Sequence, residues 1–264
     1  MGVPQVRTKS LVGVHVFSFL APVIIVVVAW ELVSRLEVVN PRMFPPPSVV
    51  EQAFLEWARS GYMLTDICAS CGRALVGLAL GGATGIFLGL ATGRNRLIGA
   101  SLTPVVQLLR PLPPVALIPL IIVWMGIGNT AKIFAISFAV LFPVWMNTHL
   151  GARQIAPAYL WSASLLTKSR MKTLWRVIVP ATTPFIIAGL RTAIPISFVM
   201  VFVSEIAGAS SGLGYRISVC HLAYRIDMMI AALAVLAAAG AMVDWAFTIA
   251  VRAALPWTRS ACDT

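Results

Sequence analysis

Four windows of about twenty residues contain no Lys, Arg, Asp or Glu: Leu11 to Trp30, Ala74 to Gly93, Pro111 to Ala131 and Ile133 to Ala152. At about 1.5 Å of rise per helical residue, each is long enough to cross a hydrocarbon layer about 30 Å thick. No water reaches the backbone inside such a layer, so every N–H and C=O must be satisfied internally and the segments must be helical. Val177 to Ser204 and Met228 to Val251 are interrupted only by Arg191 and Asp244, and they read as spans as well. With 59% hydrophobic and 11% charged residues and a mean hydropathy of +0.90, the chain lies far outside soluble globular composition. The expectation is an all-α membrane protein, one transmembrane domain over residues 1–264 with six transmembrane helices near 11–33, 67–93, 97–126, 130–150, 177–206 and 228–252.

The first apolar run is longer than the core of an ordinary secretory signal, and no small-x-small cleavage site follows it, so it is read as a membrane helix. A net charge of +11 raises the question of nucleic acid. The cations, however, fall in short loops between apolar spans and do not line one soluble face. With a cytoplasmic N-terminus, the inside collects Arg7, Lys9, Arg94, Arg96, Arg153, Lys168, Arg170, Lys172, Arg176, Arg252 and Arg259. The outside holds Arg35, Arg42, Arg59, Lys132, Arg216 and Arg225, mixed with Glu37, Glu51, Glu56, Asp66 and Asp227. This is the positive-inside asymmetry, and it predicts a multi-pass protein with both termini cytoplasmic.

Chemistry-bearing motifs are sparse. There is no H-E-x-x-H, no G-x-S-x-G and no Walker pattern, so nothing calls for a metal, a cofactor or a resident nucleotide, and a membrane enzyme is poorly supported. Cys68 and Cys71 form a lone C-x-x-C with no second pair; they read as small core residues. The ionisable residues within apolar spans are Arg110, Arg191, Glu205 and Asp244, each a functional candidate because a lone charge in lipid is costly. Arg191 and Asp244 have a plainer reading as interfacial residues or a helix-pairing couple.

Local patterns add structure to the spans. In NPRMFPPPSVVEQAFLEW the prolines set an extended turn, and Ser48 is expected to cap an amphipathic surface helix carrying Phe54, Leu55 and Trp57. The second span repeats glycine every fourth residue, at Gly77, Gly81, Gly85, Gly89 and Gly93. This lays a groove down one helix side where another backbone can approach. The third span carries Pro111, Pro113, Pro114 and Pro119, too many for a straight helix. Broken backbone at membrane depth must be covered by protein or line a wet cavity, so Arg110, Pro111, Pro113, Pro114 and, from the fifth span, Glu205 are candidate pathway or gate residues; a buried structural kink is the alternative.

The stretch from Tyr159 to Arg191, YLWSASLLTKSRMKTLWRVIVPATTPFIIAGLR, places a basic, Ser-rich patch between two apolar spans. It resembles the cytoplasmic EAA loop of binding-protein-dependent ABC importer permeases. Trp161, Ser162 and Ala163 match the opening triplet, Thr167 the usual glycine, and Val177 to Pro180 the closing I-x-L-P. Trp161 stands where Glu is usual and Thr167 where Gly is usual. FPPPSVV, LRPLPPVALIPL, FPVWMNTHLGAR and SEIAGASSGLGY are similar, in order, to segments of the nitrate/sulfonate/taurine subgroup, so the resemblance runs from about Leu11 to Trp257.

The resemblance implies a type I ABC importer permease (MetI-like) fold, paired with a second permease subunit, identical or not. Two cytoplasmic ABC ATPase subunits would drive it, and an extracytoplasmic solute-binding protein would deliver a small anion such as nitrate, a sulfonate or taurine. The coupling loop, residues 153–176, would form two short helices seated on the ATPase, through Trp161, Ser162, Ala163, Leu165, Leu166, Thr167, Arg170, Leu174 and Trp175. Apolar anchors suit docking and charges suit steering. A glycine at position 167 could take a positive φ, whereas a β-branched Thr there needs either another turn conformation or strain. An ion-coupled secondary transporter is the competing reading, but the chain shows no internal repeat and few midplane acids.

Overall fold

The computed structural model describes residues 11–37 and 39–255, with side chains described from residue 21 onward. The expectations placed on Arg7, Lys9, Trp257 and Arg259 lie outside the described residues. The described chain is helical: α1 (Leu11–Arg35), α2 (Pro47–Arg59), α3 (Tyr62–Arg94), α4 (Arg96–Leu109), α5 (Ile118–Met125), α6 (Asn129–Arg153), α7 (Pro157–Leu166), α8 (Arg170–Thr173), α9 (Val179–Ile206), α10 (Leu213–Leu222) and α11 (Ile226–Ala254). A π turn, Leu174–Ile178, fuses α8 to α9 into one helix from Arg170 to Ile206. Among the described residues, four helices are long and apolar enough to cross a membrane: α3, α6, the fused α8–α9 and α11. A fifth span results if α4 and the bent segment Pro114–Met125 are counted together.

The centre of the bundle is α6, packed along both α3 and α9, which also touch each other. Glycine makes the first contact possible. A Cβ on Gly81 would overlap the Ser137 carbonyl oxygen, and one on Gly85 would lie 2.9 Å from the Leu141 carbonyl oxygen. Gly77 abuts Ile136, and Gly89 abuts Thr148. Backbone therefore lies on backbone, and Ser137 hydroxyl donates to the Gly77 carbonyl at 3.2 Å across the contact. The dry core of Ala74, Ala135, Ile136, Val140, Val144, Ala193 and Val201 fills the space around this seam.

The same α3 face continues toward the N-terminus as Asp66, Ser70 and Arg73, four, three and then four residues apart down to Gly77. These polar groups hold the loop between α9 and α10. Arg73 Nη1 donates to Glu205 Oε1 at 2.5 Å and to the Ser211 carbonyl at 2.7 Å. Ser70 donates to Glu205 and accepts from the Leu213 N–H at 2.8 Å. The Gly214 N–H donates to Glu205 Oε2 at 2.8 Å, and Asp66 accepts from the Gly212 N–H and from Arg216. Gly212 has φ +121, and a Cβ there would strike the Glu205 carboxylate; only glycine combines that backbone with that neighbour. Glu205 is 1% exposed and Arg73 8%.

Several sequence expectations change here. Helix α2 begins at Pro47 with Pro46 as its cap, because proline suits the first helical turn; Ser48 instead donates to Glu31 of α1 at 2.9 Å. Nor is α2 simply a surface helix: Trp57 is 2% exposed and packs with Leu213, Ile217, Met228 and Ala232 of α10 and α11. Outside the spans, the Arg225 guanidinium hydrogen-bonds Glu56 and holds its carboxyl below the usual value, while Glu56 and Asp227 push Arg225 up. The clamp thus contributes above the ordinary carboxylate pKa and is lost as pH falls through the lowered one, although so exposed a pair contributes little. Cys71 packs against the core, but Cys68 is exposed. The helices also run past most of the expected span limits.

Gly85→Leu, and even Gly81→Ala, should lower the yield of folded protein, because the added atoms meet backbone that has no rotamer to escape into. Gly72→Ala, with nothing within 4 Å of its Cβ position, should leave yield unchanged; size-exclusion profiles of the three variants decide this. Glu205→Ala should cost about 3–5 kcal/mol by stranding the buried Arg73 charge. Arg73→Met combined with Glu205→Leu should recover part of that loss, measured as the thermal unfolding midpoint in detergent.

Candidate functional site

The segment expected to couple to an ATPase, residues 153–176, starts where α6 ends, at Arg153. Pro157 opens α7, as proline does at a first helical position, and the helix closes at Thr167. Thr167 takes φ −156 and ψ 138, ordinary extended backbone that any residue adopts. The departure from glycine is therefore met by a different turn, without strain. The Thr167 hydroxyl accepts from the Ser169 N–H at 3.2 Å, and the Ser169 hydroxyl in turn accepts from the Lys172 N–H. After this turn comes no second free-standing short helix: α8 is one turn long and runs through the π turn directly into α9.

The side chains of the segment divide sharply. Ala163 is buried, and Thr167 and Leu174 are half-buried. Trp161 is 71% exposed, Leu165 88%, Leu166 86% and Trp175 64%, while Ser162 and Arg170 are also exposed. Trp161 and Leu165 are one helical turn apart, so they form a ridge, and Leu166 lies beside it. Exposed Lys168, Arg170, Lys172 and Arg176 stand around this apolar surface. Between α3 and the segment lies a recess of about 1380 Å³, walled by Phe87, Leu90, Met171 and Trp175 and rimmed by Arg94 and Arg170.

The pathway candidates separate in space. α4 and the Pro114–Met125 segment meet at 83°, with Arg110 exposed as the C-terminal cap of α4. Pro111 and Pro113 are exposed in the break, and Pro114 starts the short 3₁₀ turn that follows. Glu205, by contrast, is buried, and both its oxygens are taken by Arg73, Ser70 and the Gly214 N–H. Gly77, Gly81, Gly85 and Gly89 line the α3–α6 seam described above. Arg191 and Asp244 approach to 4.0 Å between α9 and α11. Asp66, Ser70 and Arg73 were not among the sequence candidates; their signal was the continuation of the glycine stripe at the same helical spacing. No cluster of three or more metal-ligating side chains occurs among the described residues.

Comparison with known proteins agrees with this geometry. Residues 81–255 match the family described as the binding-protein-dependent transport system inner membrane component. The taurine transport system permease protein TauC of Escherichia coli K12 is 30% identical over 238 residues, covering 88% of this chain and 86% of that protein. The nitrate import permease protein NrtB of Synechococcus elongatus is 32% identical over 171 residues, covering 65% of this chain and 61% of that protein. Inward-facing structures of the MetNI methionine ABC transporter superpose with a TM-score of 0.61 at 19% identity, over 73% of this chain and 95% of that one. A bent span, an α3–α6 seam and a segment of exposed apolar anchors are thus what this chain brings to a shared architecture: it belongs to the binding-protein-dependent transport system inner membrane component family, as a membrane-spanning ABC importer permease and not a catalytic subunit.

Proposed function

We propose that this permease forms, with a second permease subunit, the pathway for a small solute bearing an oxyanion group, such as nitrate, a sulfonate or the zwitterion taurine. In this reading α1 is the sixth span, and the coupling segment and both termini are cytoplasmic, an orientation that the cation-rich loops favour. An extracytoplasmic binding protein delivers the cargo, and cytoplasmic ATPase subunits supply the work. The anionic cargo rests on the names of the two relatives; in this family, selectivity is largely delegated to the binding protein.

The observation that carries the reading is the uncovered ridge of Trp161, Leu165 and Leu166 with Trp175 nearby. Large apolar side chains so exposed, ringed by cations, suit a partner surface. With Trp161 in place of the family's usual acid, the contact is an apolar anchor in a groove of the ATPase and not a surface ion pair. Force on α7 reaches α9 directly, because Arg170 to Ile206 is one helix roughly 55 Å long. Its far end carries Glu205. The π turn within it is a local irregularity of the kind found at functional sites.

Trp161→Ala should weaken association with the ATPase about 30-fold or more, as loss of a central aromatic anchor does, and should lower substrate-stimulated ATP hydrolysis in the reconstituted complex. The double change Trp161→Glu, Thr167→Gly should restore coupling only with an ATPase whose groove suits the commoner motif. Unchanged association and stimulation in Trp161→Ala would remove this segment from the coupling role. Separately, Arg110→Ala should reduce anion uptake more than complex yield; equal loss of both would assign Arg110 a structural role.

A further inference from the structure

At the end of α6 opposite the coupling segment lies a recess of about 490 Å³, lined by Arg73, Asn129, Lys132, Gly208 and Ser210. Lys132 is 6% exposed. Its ammonium donates to the carbonyls of Ile127 at 2.7 Å and Gly128 at 3.3 Å. Among the described residues no carboxylate lies within ion-pair distance of it. Arg73 is neutralised by Glu205, so the recess keeps the uncompensated charge of Lys132.

The location sharpens the point. Lys132 stands in the first turn of a 25-residue helix, where the macrodipole is positive and a cation is disfavoured. A buried ammonium normally has a carboxylate partner. Two carbonyls satisfy its hydrogen bonds, yet they leave its charge unbalanced. Neutral donors stand around it as well: Asn129 uses its oxygen to accept from Arg73 Nε at 2.9 Å, which leaves its NH₂ to donate, and Ser210 contributes a hydroxyl. An ammonium, a helix N-terminus, an amide and a hydroxyl together fit a small oxyanion.

We infer that this recess is a transient station for the transported oxyanion, a nitrate or a sulfonate, with Lys132 as its charge partner. The inference rests on the reading that the cargo is an anion. It adds a named site on the permease itself, at the N-terminal end of α6, beyond the specificity held by the binding protein. Lys132 has a competing structural task, capping the Ile127 and Gly128 carbonyls at the end of α5. Glutamine can perform that task, because its amide donates hydrogen bonds, but it carries no charge.

The test uses the complete complex in proteoliposomes, with its ATPase and binding protein, and nitrate, ethanesulfonate and taurine as probes. Lys132→Gln should lower uptake of whichever probe the wild type moves by about tenfold, the scale of electrostatic concentration in a charged cleft, and Lys132→Arg should retain it. Basal ATP hydrolysis and complex yield should match the wild type in both. Wild-type uptake in Lys132→Gln would overturn the site while leaving the anion reading intact. A wild-type complex that moves none of the three probes would overturn both. A second measurement is independent of cargo and of the Lys132 variants. The thiol of Ser210→Cys, above the background of the parent chain, should react about tenfold faster with sulfonatoethyl methanethiosulfonate than with its trimethylammonium counterpart, after correction for a free thiol. A corrected ratio at or below one would overturn the site.

Discussion

Everything else in the bundle is arranged around the approach of α3 to α6 at backbone distance. Five glycines at four-residue spacing remove the side chains that would hold the two helices apart, and Ser137, Leu141, Val144 and Thr148 occupy the space released. In lipid the hydrophobic effect gives little reason for two apolar helices to associate, so van der Waals contact and inter-helix hydrogen bonds must supply it. Close backbone contact maximises the first and, through Ser137 and Gly77, provides the second. With α6 fixed against α3, an adjoining face of α6 that shares Val144 is set for α9, and Gly189 of α9 repeats the device by meeting Val144 and Asn147. Three helices become one rigid layer from which both ends of the protein are presented.

The two ends of that layer are finished in different ways. At one end, charges are buried and closed on one another: Arg73 with Glu205, Asp66 with Arg216, and the N–H groups of Gly212, Leu213 and Gly214 spent on acidic or hydroxyl oxygens. Such a network is costly to break singly and specifies one loop geometry. At the other end, the coupling segment satisfies its polar groups locally, within the Thr167–Ser169 turn, and leaves its large apolar side chains uncovered. Apart from Lys132, the buried charges of the first end are closed within the chain, whereas the large apolar side chains of the second lie uncovered. The fused helix from Arg170 to Ile206 joins them, so a partner that moves the second end acts on a helix that terminates in the first.

Legibility from sequence followed the range of the interactions. The glycine stripe, the proline-broken span and the apolar anchors of the coupling segment are local patterns, and each was readable where it stood. Asp66, Ser70 and Arg73 were not: the charge-free window starts at Ala74, and although the expected span opens at 67, nothing local marks these three as one polar network. Their partners, Glu205 and Arg216, lie more than 130 residues away, and no local rule pairs them. Trp57 failed for a related reason: an amphipathic helix outside the spans reads as surface until α10 and α11 fold over it. For Thr167 the sequence leaves two outcomes open, another turn conformation or strain, and the chain takes the first by extending at φ −156.

The placement of Lys132 shows how a burial that stability alone does not explain becomes informative. Arg73 is as buried, yet it raises no question, since Glu205, Ser211 and Asn129 take up its charge and its donors. Lys132 uses its hydrogen bonds on two carbonyls that a neutral amide would serve equally well, and it does so at the helix end where a positive charge is least favourable. Its hydrogen bonding is therefore explained by the turn between α5 and α6, and its charge is not. A charge retained without an ion-pair partner among the described residues, beside an open polar recess, is the feature that the proposed oxyanion station would account for, because an anion in the recess would balance what the two carbonyls cannot.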